Sequence, residues 1–127
     1  MVLCVVDDLI FSIKISTAAK VLGTPVFFER APAMVLPRIR EKRPSLVILD
    51  LNSATLAPLK VIAGMKGDPE LRDIWTLGYV SHVQTDVIAA ARAAGIDEVL
   101  ARSAFSDRLG EILSAPSTRP SRQQPAG

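Results

Sequence analysis

The chain has 127 residues, and its 15 Lys and Arg against 13 Asp and Glu leave a formal net charge of +2. Arg119 and Arg122 sit in the last twelve residues, so residues 1–115 hold thirteen basic and thirteen acidic side chains, a balance without the electrostatic footprint of a nucleic-acid binder. The length suits one domain with a proper core, no apolar run approaches the roughly 18 residues of a membrane span, and the start lacks the basic segment of a signal peptide, so a soluble cytoplasmic protein is predicted.

The single cysteine, Cys4, has no internal disulfide partner, in keeping with a reducing compartment, and its apolar neighbours predict a small buried hydrophobe. It belongs to residues 2–6, a β-branched apolar run that stops at Asp7 and Asp8 and predicts a buried first strand. From Leu9 the period becomes helical, with Ile10, Ile13, Thr17, Ala18, Val21 and Leu22 expected on the inward side and Gly23 as the stop. Residues 24–29 predict a second strand with Pro25 at its start. Pro32 opens a helix to about Lys42 that Pro37 should kink or shorten. The basic cluster of Arg38, Arg40, Lys42 and Arg43 is interrupted by Glu41 and reads as a solvated helix end.

Residues 46–52 read Leu-Val-Ile-Leu-Asp-Leu-Asn, and four aliphatic side chains in a row without polar alternation predict a strand covered on both faces. Asp50 arrives where that strand should end. Pro58 opens a helix to about Lys66, with Leu59, Ile62 and Ala63 inward and Gly67-Asp68-Pro69 ending it. Residues 75–81 predict a fourth strand, and Thr85 or Asp86 caps a helix over 87–94 that Gly95 terminates. Residues 98–101 predict a short fifth strand ending at Arg102. Ser103 or Ser106 then caps a last helix whose stripe is Phe105, Leu109, Ile112 and Leu113. Residues 116–127 have no apolar period and are predicted to be a disordered tail. Five strands alternating with five helices over residues 1–115 predict an α/β fold built on a doubly wound parallel sheet.

In such a sheet the polar ends of the strands gather at one edge. Asp7 and Asp8 follow the first strand, Asp50 the third, Ser81 the fourth and Arg102 the fifth. If the first and third strands are neighbours, three carboxylates share one crevice and repel one another unless a cation or proton intervenes. Hard oxygen ligands suit Mg²⁺, and a hydroxyl with a guanidinium on the opposite wall suits an anion beside it. Together these predict a site for a phosphoryl group.

The Val-Val-Asp-Asp end of the first strand, the Leu-Val-Ile-Leu-Asp end of the third, Ser81 and Arg102 resemble, in order and spacing, a response-regulator receiver domain of the chemotaxis-regulator type. The resemblance spans residues 1 to about 115. It implies a five-stranded sheet in the flavodoxin-like order 2-1-3-4-5. It also implies that Asp50 is the phosphoacceptor, that Asp7, Asp8, Asp50 and the backbone carbonyl of Asn52 hold Mg²⁺, and that Ser81 and Arg102 contact the phosphoryl group. Ser81, His82 and Val99 match the family's switch region. The implied partners are a histidine kinase or phosphotransfer protein and a downstream protein, with a homodimer also open. The implied role is a stand-alone receiver in two-component phosphorelay signalling, not an enzyme beyond assisting its own phosphorylation and dephosphorylation.

Several positions depart from the family pattern. Arg102 stands where a lysine is usual and Ser103 where a proline follows it. His82 stands where the residue is usually very small, Val99 replaces an aromatic switch residue, Ala54 a proline and Pro58 a frequent glycine. Arg102, Val99 and His82 support an alternative, a pseudo-receiver that acts as a phosphorylation-independent interaction module. A flavodoxin-like or hydrolase reading of the same sheet lacks both a Gly-rich phosphate loop after the first strand and a Gly-x-Ser-x-Gly elbow.

Overall fold

The structure, a computed structural model, describes residues 1–81 and 84–114. The expectations for His82 and for the tail over 116–127 lie outside the described residues. Strands β1 (Val2–Val5), β2 (Val26–Phe28), β3 (Leu46–Asp50), β4 (Trp75–Val80) and β5 (Glu98–Ala101) form one sheet in the order 2-1-3-4-5. Every pairing is parallel. The helices are α1 (Leu9–Leu22), α2 (Val35–Lys42), α3 (Pro58–Lys66), α4 (Thr85–Ala94), α5 (Arg102–Asp107) and α6 (Leu109–Ser114). No helix among the described residues is long and apolar enough to cross a membrane.

The continuous apolar runs of β1 and β3 are fully buried because a helical layer covers each face of the sheet. Side chains alternate along a strand, so Leu3, Val5, Val47 and Leu49 pack with Val35, Ile39, Ile62 and Met65 in the layer of α2 and α3. Val2, Cys4, Leu46 and Ile48 pack on the other face with Phe11, Ile15 and Phe105 of α1 and α5. Asp50 shares the parity of Leu46 and Ile48 and so belongs to the α1 side. Its register partner on β4 is Tyr79.

The inward face of α1 is not the one the periodicity suggested. Phe11, Ser12, Ile15 and Ala19 are buried, whereas Ile10, Ile13, Thr17, Val21 and Leu22 are exposed and Ala18 is half-buried. Ile13 is 57% exposed and Ile15 0%. The helix is apolar around most of its circumference, so period alone could not choose its rotation. Packing of a large ring decides it. Phe11 sits 4.9 Å from the ring of Tyr79 and 6.0 Å from that of Phe105, filling more volume than Ile10 or Ile13 would. In α3, likewise, Ile62 is buried as expected, but Val61 and Met65 accompany it while Leu59 and Ala63 face outward.

The last helix divides in two, which gives six helices among the described residues and not five. Arg108 leaves helical geometry at φ −97°, with its guanidinium bonded to Glu98 at 3.3 Å and Glu111 at 3.4 Å. The stripe of Phe105, Leu109, Ile112 and Leu113 is nonetheless buried throughout. Neither Ser103 nor Ser106 caps α5, which Ala101 precedes without a side-chain bond, and Thr85 and Asp86 lie inside α4 after Gln84. A 3₁₀ turn at Pro32–Met34 precedes α2. Pro37 is the third residue of α2, where its missing N–H falls among first-turn groups that have no intrahelical acceptor.

The rotation of α1 sets a paired test by urea denaturation. Ile15→Ala is expected to cost about 2–5 kcal/mol, as a buried aliphatic truncation does. Ile13→Ala is expected to stay within about 0.5 kcal/mol. Equal losses would place Ile13 in the core.

Candidate functional site

Asp50 ends β3 and is only 7% exposed. The chain turns immediately after it, so the N–H of Asn52 donates to Asp50 Oδ1 at 2.9 Å. Among the described residues nothing donates to Oδ2. Burial raises the pKa of Asp50 above the ordinary carboxylate value; the Asn52 N–H opposes that shift, the charges of Asp7 and Asp8 add to it and Arg102 counters it. The ends of β1, β3 and β5 converge, as the Arg102–Asp8 ion pair and the adjacency of β1 and β3 show.

Asp8 is held twice. It N-caps α1, its Oδ1 accepting from the N–H of Phe11 at 3.0 Å. Its Oδ2 accepts a short contact from Nη2 of Arg102, the first residue of α5. The Arg102 guanidinium also lies over the ring of Phe11, 4.4 Å from its centroid. Phe11 in turn belongs to an aromatic stack with Tyr79 and Phe105, whose rings are 4.7 Å apart. Among the described residues, the Arg102 Nε is buried without a hydrogen-bond partner, as is the Tyr79 hydroxyl. Burial, and then the charge of Asp50, push the Tyr79 hydroxyl pKa upward, so it remains protonated.

Asp7 is exposed and accepts from the hydroxyl of Ser53 at 3.1 Å. Ser53 is buried, and its oxygen also accepts from the N–H of Leu56 at 3.2 Å, which closes the turn after β3. Asn52 Oδ1 accepts from both the N–H and the hydroxyl of Ser81, at 2.7 and 2.9 Å, while its Nδ2 donates to Gln84 Oε1. The ends of β3 and β4 are thereby tied together across the mouth of the site.

The structure thus brings Asp7, Asp8, Asp50, Asn52, Ser81 and Arg102 to one edge of the sheet. Val99 is elsewhere. It pairs with Gly78 inside β5 and packs in the layer that contains α3 and α4. Sequence reasoning missed Phe11, Ser53 and Gln84. Ser53 had a local signal, a serine three residues before an N–H it can bond; Phe11 and Gln84 are recruited by tertiary contacts that no local pattern encodes. Cys4 is buried, with its thiol pushed up to about 12 by burial, and is no nucleophile.

An implied Mg²⁺ would meet a cation already in the site: each Asp8 oxygen accepts one bond and keeps a second lone pair, Asp7 Oδ2 accepts from Ser53, and Arg102 sits on Asp8 Oδ2. Among the described residues no three His, Cys, Asp or Glu side chains cluster closely enough to hold a metal ion by themselves, and the expected donor set also draws on the Asn52 carbonyl.

No protein-family model matches the sequence, and no curated protein matches it. Solved structures do. The Mn²⁺-bound form of response regulator Rcp1 superimposes with a TM-score of 0.78 at 19% identity, covering 98% of each chain. The phosphorylated cyanobacterial phytochrome response regulator RcpA gives 0.76 at 22%, covering 96% of this chain and 97% of its own. A response regulator from Hahella chejuensis gives 0.81 at 21%, covering 92% and 94%. The chain has the receiver fold, with the sheet order that the resemblance implied.

The raised pKa of Asp50 carries a linkage consequence. The folded state binds this proton more readily than the unfolded chain, so stability is greatest below the unfolded carboxylate value and declines as pH rises through the folded one. Asp50→Asn removes the charge and keeps an acceptor for the Asn52 N–H. It is expected to raise the melting temperature at neutral pH, with the gain shrinking as pH falls through the carboxylate range. A gain that is independent of pH would assign the effect to something other than ionisation.

Proposed function

We propose that this chain is a signalling module that accepts a phosphoryl group on Asp50 from a phosphohistidine donor, in a two-component relay. The observation that carries the reading is the carboxylate of Asp50 itself. It is buried at the carboxyl end of a central parallel strand, with Oδ1 fixed by the backbone and Oδ2 free of any donor among the described residues. Burial that raises its pKa also makes the ionised carboxylate a better nucleophile. In the transfer a bond forms between Asp50 Oδ2 and phosphorus while the P–N bond of the donor imidazole breaks. The electron pair leaves on nitrogen, which takes a proton from water.

Phosphoryl transfer is catalysed mostly by positioning and by neutralising the equatorial oxygens. Arg102 is the cation available beside Asp50, and Ser81 is a hydroxyl at the mouth that can turn from Asn52 to a phosphoryl oxygen. The exposed apolar side of α1 begins with Leu9 and Ile10, directly after Asp8, and continues to Ile13. That face offers a helical donor a surface to pack on at the edge of the site.

A second reading, an interaction module that works without phosphorylation, is favoured by one observation. Three of the groups expected to meet a metal or phosphoryl group, Asp8, Arg102 and Ser81, are already bonded within the chain.

Incubation with acetyl phosphate and Mg²⁺, followed by intact mass measurement, separates the two. The first reading expects the gain of one phosphoryl group, abolished in Asp50→Asn. The second expects no gain with acetyl phosphate or with any phosphohistidine donor, and a biological output unchanged by Asp50→Asn.

A further inference from the structure

We propose that Arg102 is the resident cation of this pocket, so that its pairing with Asp8 and the binding of a divalent ion there exclude one another. Asp8 has two oxygens, and each accepts a bond. Oδ1 is bound to the N–H of Phe11 as the cap of α1, and Oδ2 receives Arg102 Nη2. Each oxygen keeps a second lone pair, but a divalent ion on either would lie beside the Arg102 guanidinium and set two positive charges side by side.

The guanidinium is placed there by more than charge. Arg102 is fixed at the junction of β5 and α5, and its planar group rests on Phe11, which is held by Tyr79 and Phe105. An ammonium on a flexible stem would not stack this way, so the departure from lysine at this position carries the exclusion. The arrangement is not a closed structural lock. Among the described residues Arg102 Nε is buried without a partner, and the ion pair is partly open to solvent, with side-chain exposures of 35% and 26%. The contact holds the pocket against a weak competitor and yields to a strong one. The inference stands on pocket geometry and does not depend on phosphoryl transfer to Asp50.

Mn²⁺ titration tests it, read by calorimetry and by paramagnetic broadening of the amide resonances of Asp7, Asp8 and Asp50. Wild type is expected to bind Mn²⁺ at least about tenfold more weakly than Arg102→Ala. The Arg102 Nε–H resonance of wild type should shift as the site fills. Arg102→Lys, which keeps the charge and loses the stacking, is expected to fall between the two and guards against a folding defect in the alanine variant. Equal affinities in wild type and both variants would overturn the proposal. So would saturable binding that leaves the Arg102 resonance unmoved, or an absence of binding in every variant. Acetyl phosphate labelling of Asp50 is a separate measurement, so failure of the phosphoacceptor reading is distinguishable from failure of this one.

Discussion

Like charge at one edge of a parallel sheet is the constraint around which the rest of this molecule is arranged. The order 2-1-3-4-5 makes β1 and β3 neighbours, and both strands end in carboxylates. Asp50 is nearly buried, where charge is poorly solvated, so repulsion from Asp7 and Asp8 is felt more strongly than it would be in water. Backbone N–H groups offset part of it at Asp8 and Asp50, and a hydroxyl does so at Asp7. Among the described residues, Arg102 supplies the one formal charge of opposite sign that touches the group. The ion pair links α5 to the start of α1, so neutralising the pocket also fastens two helices of one layer.

Around that centre the site is built in two halves of different character. On the α1 side, contact is aromatic and cationic, with Arg102 on Phe11 and Phe11 against Tyr79 and Phe105. At the turns after β3 and β4, contact is polar and short in range, with Asn52 bridging Ser81 and Gln84. The carboxylate of Asp50 stands between a rigid packed wall and a rim of exchangeable hydrogen bonds. A rim of this kind can rearrange around an incoming oxygen without disturbing the core.

The architecture was legible because it rests on coarse signals. Unbroken aliphatic runs in β1 and β3 need cover on both faces, and Gly23 and Gly95, at φ 69° and 106°, end helices where expected. The candidate acids were legible for a related reason, since a polar residue terminating an apolar run marks the strand end. Rotation of α1 was not legible. Two apolar stripes compete on that helix, and the choice between them depends on Tyr79 and Phe105, which lie far away in the sequence. The role of Arg102 was half legible. Its charge and position could be read, but its partner could not, because a flexible side chain with five donors has several acceptors within reach.

The parity of β3 sets a limit on how this pocket can change over time. Asp50 reaches the α1 layer only because it is an even number of residues from Leu46 and Ile48, which pack there. Substitutions at the rim alter one contact each and leave the rest standing. Insertion or deletion of a single residue within β3 would exchange the two faces of the strand, sending the carboxylate into the α3 layer and aliphatic side chains to the pocket. The site can therefore drift by replacement while the length of its central strand stays fixed.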